Sequence, residues 1–224
     1  MARGVAARRS TYGRWTEHGA VFVTIAKPFS PSCDRNREPI LAVLREHFVD
    51  HRNVLEIGSG TGQHAVCFAA EMPWLTWQCA DVADNLPGIR MWLDEAALPN
   101  TPAPVELDVT SFDRLKKRGD RFDAVFSANT LHIMGWEEVE AFFAGLDEVL
   151  TAFATVVVYG PFNDDGAFTS DSNRDFDAWL KARDPRSGIR DFEAVAALAR
   201  AIGLRLVDDV VMPANNRCLV WRRG

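Results

Sequence analysis

One run constrains this chain more than any other: Asn53-Val54-Leu55-Glu56-Ile57-Gly58-Ser59-Gly60-Thr61-Gly62-Gln63-His64. The aliphatic stretch predicts a buried strand, the glycines a tight turn, and the residues after them the opening of a helix. Gly58, Gly60 and Gly62 can adopt positive φ and leave bare backbone against a ligand, while the free amides from about Gln63 onward offer an anion site. Such a unit belongs to α/β proteins, whose ligands lie beyond the carboxyl ends of parallel strands.

Two cofactor classes use a turn of this kind. Dinucleotides take G-x-G-x-x-G or G-x-G-x-x-A, where the last small residue lets helix and strand pack closely; here that place is Gln63. Class I S-adenosylmethionine enzymes instead carry an acid two places before the first glycine and a G-x-G-x-G run, which Glu56 and the three glycines match. A buried carboxylate is costly unless it is paired. In that class it organises the cofactor's aminoacyl end; the competing reading is a tight turn with an incidental glutamate.

With 224 residues the chain suits one α/β domain with a sizeable core. Its formal charge of −6 would repel a phosphate backbone, which disfavours nucleic acid as a partner. No apolar run approaches the ~18 residues of a membrane span. Cys33, Cys67, Cys79 and Cys218 stand singly, so neither a zinc site nor a disulfide framework is expected, and free thiols without a secretory leader point to the cytosol. Arg3, Arg8, Arg9 and Arg14 superficially resemble a transit peptide. The favoured reading is a loosely ordered tail over 1–30, followed by a single domain over 31–224.

Periodicity predicts a helix from Pro39 through Phe48, with the proline in its first turn. Strands follow at Asn53 to Ile57, Trp74 to Ala80, Val105 to Leu107, Ala124 to Ser127 and Thr155 to Tyr159. Helices are expected at His64 to Met72, Leu86 to Ala97 and Trp136 to Leu150. Residues 161–190 are polar and glycine-punctuated, with one helix around Phe176 to Ala182, and read as a lid or substrate platform. A last helix, Ala194 to Ile202, precedes strands Leu204 to Val211 and Leu219 to Arg222. The pattern gives a mostly parallel seven-stranded sheet with one antiparallel member and helices on both faces.

Ligand groups should cluster at the strand ends. Glu56 closes the first strand, Asp81 the second and Asp108 the third, and Asn129 lies just past the fourth. Asp81 is read as the ribose ligand, a role that dinucleotide enzymes share. Asp108 is placed either to accept from the adenine amino group or to cap the turn near Ser111. His132 is open between general base, orienting donor and structural histidine, and Tyr159 between acceptor-facing and core roles. On the excursion and the final turn, Asn173, Arg190 and Asn216 are candidate substrate ligands, Arg190 as an anion fork; capping and turn hydrogen bonds compete.

A wider set of motifs makes the chain similar to a little-characterised methyltransferase-like family long filed as a domain of unknown function. The set comprises Arg35-Asn36 with Pro39-Ile40-Leu41; Leu55-Glu56 through Gly60-x-Gly62-Gln63-His64-Ala65; Leu107-Asp108-Val109-Thr110; and Asn129 with His132-Ile133. It continues through Tyr159-Gly160-Pro161-Phe162, Ser172-Asn173 with Phe176-Asp177, Gly188-Ile189-Arg190-Asp191 and Met212-Pro213-Ala214-Asn215-Asn216. The resemblance implies a Rossmann-like class I methyltransferase fold and S-adenosylmethionine binding. Arg35, Asn36, Ser59, Gln63, His64, Val82 and Val109 then join the glycines and acids as cofactor residues. Two positions depart: Ser187 stands where the family usually has tryptophan, and Gly135 where it has proline. The asparagine-proline-proline-aromatic motif of amino-directed methyltransferases is missing after the fourth strand.

The sequence reading is thus a cytosolic S-adenosylmethionine-dependent methyltransferase that transfers methyl in line to a small-molecule acceptor, without metal, nucleic acid or membrane. Its rivals are a non-catalytic S-adenosylmethionine-binding regulatory or scaffold protein and an NAD-dependent oxidoreductase.

Overall fold

The computed structural model describes residues 10–16 and 19–224, the two short stretches Ser10–Thr16 (β1) and Gly19–Ile25 (β2) as backbone. β1 and β2 pair antiparallel, from Ser10 opposite Ile25 to Thr16 opposite Gly19. Arg3, Arg8 and Arg9 of the expected tail lie outside the described residues. The chain continues through α1 (Pro31–His47), β3 (Asn53–Ile57), α2 (Gln63–Glu71), β4 (Thr76–Asp81), α3 (Leu86–Ala96), β5 (Val105–Glu106), α4 (Asp113–Arg118) and β6 (Phe122–Ala128). Next come α5 (Trp136–Val149), β7 (Leu150–Gly160), β8 (Phe162–Asn163), α6 (Asp171–Arg183), β9 (Arg190–Asp191), α7 (Phe192–Ala201), β10 (Leu204–Met212) and β11 (Asn216–Arg223).

Seven strands form one sheet in the order β10-β11-β7-β6-β3-β4-β5. β3 is parallel to both β4 and β6, and β6 to β7, whereas β11 runs antiparallel to both of its neighbours. The fold expected from the sequence is therefore the fold observed. Strand order reverses around β3, which puts the glycine loop at the switch point where open sheets bind ligands. The starts of β3 and β6 are tied by Asp123, whose carboxylate accepts from the backbone amides of Arg52 (2.9 Å) and Asn53 (2.8 Å).

Each face of the sheet carries its own core. On one, α1, α2 and α3 cover Phe68, Trp77, Phe126 and Val220; on the other, α4, α5 and α7 cover Val125, Phe142, Phe143 and Trp221. The central strands are apolar on both faces for that reason. α5 lies so close to Phe112 that a Cβ at Gly145 would overlap the ring.

Three local expectations need correction. α1 begins at Pro31 and keeps Pro39 inside it, at the cost of one ladder hydrogen bond; its polar first turns are held by contacts to α2 and β7 that no periodicity reveals. α4 was not expected, because its six residues bury only Leu115. The excursion over 161–190 is fastened at its base by β8, which pairs parallel with β9.

Candidate cofactor site

The carboxyl ends of β3, β4, β5 and β6 open into a cavity of about 860 Å³, a volume suited to a small-molecule ligand. Its floor is the glycine loop, with positive φ at Gly58 (73°), Gly60 (58°) and Gly62 (89°). At Gly58 a side chain would meet Thr130 Oγ1 at 2.6 Å, so the end of β6 requires glycine there. The amides of Gly58 and Ser59 donate to Ala80 O at 3.0 and 3.3 Å, and Gly60 N donates to Asp81 Oδ2 at 2.6 Å. The loop is thereby stitched to the end of β4.

Asp81 is fixed in turn, its Oδ1 accepting from Val82 N and Asn85 Nδ2, both at 2.8 Å. A carboxylate offers about four acceptor positions, so Oδ2 retains capacity for a ligand hydroxyl, with Asn85 as a second polar group on the same wall. Sequence reasoning missed Asn85, although its place four residues after Asp81 was a usable signal. Asp108 Oδ1 accepts from Thr110 N (2.9 Å) and Thr110 Oγ1 (2.7 Å), which hold its carboxyl below the usual range. It thus caps its turn and still reaches the cavity wall, beside Val109. Val82 and Ile133 expose apolar side chains there (48% and 55%), and Asn129, with φ 58°, completes this side.

The opposite wall corrects the expected tail. Residues 26–30 are held in place: Ser30 N donates to Gln63 Oε1 at 2.6 Å, Trp92 Nε1 to Pro28 O at 2.7 Å, and Lys27 pairs with Glu95 at 2.9 Å. Ala26, Pro28, Ser30, Ser32 and Cys33 line the cavity. Gln63 is off the wall and serves as the anchor for this roof, also accepting from Thr61 Oγ1 at 3.0 Å. His64 does reach the wall; its Nε2 lies 2.8 Å from Asn36 Oδ1. Asn36 is buried behind it, and Arg35 hydrogen-bonds Ser32 Oγ at 3.0 Å; neither lines the cavity.

Several expected ligands are engaged elsewhere. Glu56 is 2% exposed, with Oε2 accepting from Trp77 Nε1 at 3.0 Å, beneath the floor rather than on it. His132 is buried edge-on against Phe176 (5.3 Å between centroids) and beside Gly160, away from the cavity. Tyr159 is buried with its hydroxyl beside the Asn36 amide. Asn173 Nδ2 donates to Thr169 Oγ1 (3.0 Å) and Asn215 O (3.2 Å), latching α6 to the β10–β11 turn, and Asn216 Nδ2 closes that turn onto Pro213 O at 3.0 Å. Turn and cap chemistry accounts for both asparagines.

Arg190 is likewise committed. Its guanidinium donates to the carbonyls of Leu131 (3.1 Å), Met134 and Arg186 (2.9 Å). Gly188 N donates to His132 O at 2.9 Å and Ser187 Oγ to Ile133 O at 2.8 Å. One segment thus satisfies four consecutive carbonyls of the turn after β6 and sets the wall carrying Ile133 and Met134. Both departures from the family pattern have local reasons. Ser187 supplies that hydroxyl, and Gly135 donates its amide to Glu138 Oε2 at 2.5 Å, a bond proline could not make.

Burial pushes Glu56 up to about 7 and both His64 and His132 down to about 4, the last with help from the Arg190 charge. The signs oppose. The neutral carboxyl adds stability below its ordinary 4.5 that is lost as pH rises through about 7; the neutral imidazoles add stability above their ordinary 6.5 that is lost as pH falls towards about 4. On acidification two losses meet one gain. Glu56→Gln removes the gain, so stability should fall more steeply between these ordinary values, by roughly 1 kcal/mol per pH unit, and melting temperature should fall with it. Parallel melting profiles for the two proteins would show that Glu56 stays ionised when folded.

The sheet order, the glycine loop after β3 and the acid after β4 define a class I methyltransferase fold. Within that class, the chain belongs to the family described as "Protein of unknown function (DUF938)", whose sequence model matches residues 27–223. Among solved structures it is similar to an O-methyltransferase family protein from Burkholderia thailandensis (18% identity, TM-score 0.71, 84% of this chain and 56% of that one). It is also similar to a putative O-methyltransferase from Nostoc punctiforme PCC 73102 (16%, TM-score 0.72, 84% and 55%) and to PigF with SAH (14%, TM-score 0.69, 83% and 55%). The chain therefore spans little more than half the length of these structures, and the likeness is one of fold. No helix among the described residues is long and apolar enough to cross a membrane.

Proposed function

We propose that the protein is an S-adenosylmethionine-dependent methyltransferase of the cytosol that transfers methyl in line to a small-molecule acceptor. The observation that carries this reading is Asp81, whose carboxylate locks the glycine loop through Gly60 N while facing the cavity. That arrangement suits a ribose diol at Asp81 and Asn85, an adenine between Asp108 and the apolar Val82 side, and an extended chain across the bare backbone of Gly58 to Thr61. Solved structures of the same fold that include PigF with SAH support the cofactor. S-Adenosylmethionine, when bound, supplies a methyl group on a sulfonium. The chain's own residues then align the acceptor and exclude water, and the roof over 26–33 favours a small acceptor over a macromolecule.

A second reading, a non-catalytic binding protein, gains from the burial of His132 and Tyr159 away from the wall. An NAD-dependent oxidoreductase is disfavoured by Gln63, which fills the small-residue place of the dinucleotide turn. Calorimetric titration with S-adenosylmethionine, S-adenosylhomocysteine and NAD tests all three. The adenosyl ligands should bind and NAD should not; binding of NAD alone would remove the methyltransferase reading. Transfer of label to small metabolites then separates an enzyme from a binding protein.

A further inference from the structure

The two ends of the cavity differ in charge. Asp81, Asp84 and Asp108 stand at the β4 and β5 side, while the side formed by α1 and the first turn of α2 presents Ser30, Ser32, Cys33 and His64 and, among the described residues, no carboxylate. A ligand whose sugar meets Asp81 and which crosses the glycine loop ends beside that first turn. The opening amides of α2 suit its carboxylate, but its ammonium needs an acceptor. Glu56 is turned into the core, held by Trp77 Nε1 at 3.0 Å and approached by Cys79 Sγ at 3.7 Å.

We infer that His64 Nδ1 accepts a hydrogen bond from the aminoacyl ammonium of an S-adenosyl ligand, in the place that the glycine-loop pattern assigns to Glu56. This rests on the methyltransferase reading of the cavity. Aromatic contacts hold the ring: it stacks on Phe68 with centroids 5.2 Å apart and meets Phe126 edge-on at 5.9 Å. Its Nε2 is 2.8 Å from Asn36 Oδ1, which places the proton on Nε2 and leaves a lone pair on Nδ1. Asn36 is itself buried beside the Tyr159 hydroxyl. Among the described residues Nδ1 faces the weak Cys33 thiol, 4.0 Å away, a partner that an ammonium readily displaces. Burial keeps the ring neutral, and hence an acceptor, near neutral pH. Asn36 and Tyr159 become positioning residues for His64, which explains how motif residues off the wall still serve the cofactor.

The test compares affinities for S-adenosylhomocysteine and for methylthioadenosine, which lacks the aminoacyl end, in the wild type, His64→Phe and Glu56→Gln proteins. His64→Phe keeps the stack on Phe68 and should weaken S-adenosylhomocysteine by roughly 10- to 100-fold, the loss of one hydrogen bond to a charged group, with methylthioadenosine little changed. An unchanged ratio of the two affinities overturns the inference, as does a selective loss confined to Glu56→Gln. If the wild type binds neither nucleoside, the cofactor reading itself fails. Should His64→Phe not fold, nitrogen NMR of the unaltered protein decides. The His64 Nδ1 resonance should move on adding S-adenosylhomocysteine but not methylthioadenosine, and the same response to both overturns the inference.

Discussion

Asp81→Asn should lose at least about 100-fold in affinity for S-adenosylhomocysteine, roughly 3 kcal/mol, while remaining folded. The carboxylate accepts from Gly60 N, Val82 N and Asn85 Nδ2 and keeps an acceptor position towards the cavity. An asparagine has one oxygen, and whichever way it is turned its amide opposes a backbone N–H. Turned one way it loses the grip on the glycine loop and the cavity-facing acceptor; turned the other it keeps its oxygen there only by setting its amide against Val82 N. Asp81→Ala goes further, leaving all three donors without this partner, and should lower the melting temperature as well. Calorimetry with S-adenosylhomocysteine reads the first effect and thermal unfolding the second. Wild-type affinity in Asp81→Asn would rule out this carboxylate as a ligand.

Arg190→Ala should destabilise the protein by about 3 kcal/mol, which for a chain of this size lowers the melting temperature on the order of 10 °C. Its guanidinium satisfies carbonyls of Leu131, Met134 and Arg186 at once, and alanine leaves all three without this donor. Lysine should not rescue it, since a single ammonium lacks the planar spread of donors. Because the same turn carries Ile133 on the cavity wall, cofactor affinity should drop together with stability. An Arg190→Ala protein with unaltered melting and cofactor binding, but lost turnover of an acceptor, would instead restore the anion-fork reading.

The fold was legible because its signals are periodic and local. Asn53 to Ile57 could be read to the residue, and the seven strands of the sheet were each expected, since alternating aliphatic runs and glycine breaks carry enough information on their own. α4 and the β8–β9 pair were not, being too short to bury a face. The site was legible where a residue's role follows from its place on a strand end, as with Asp81, Asp108 and the glycines. It was misread where the role depends on which way a side chain points. Glu56 and Asp81 both close strands, yet one turns under Trp77 and the other into the cavity. Arg190 looked like a ligand for anions because the four carbonyls of residues 131–134 are visible only once the chain has folded back on them. The roof at 26–33 was lost for the opposite reason: its arginine-rich approach suggested a tail, and nothing in Pro28 or Ser30 announces their partners Trp92 and Gln63.

The position of β11 sets when this molecule can exist. It follows β10 in the chain, yet it lies inside the sheet, between β7 and β10. Until residue 223 has left the ribosome, β10 has no neighbour and the outer face of β7 stands open as a long apolar edge, a surface prone to wrong pairing. The glycine loop and Asp81 precede β11 in the chain but stay part of an unfinished sheet until it arrives. The seven-stranded sheet therefore closes only once β11 is available, and until then its open strands need protection.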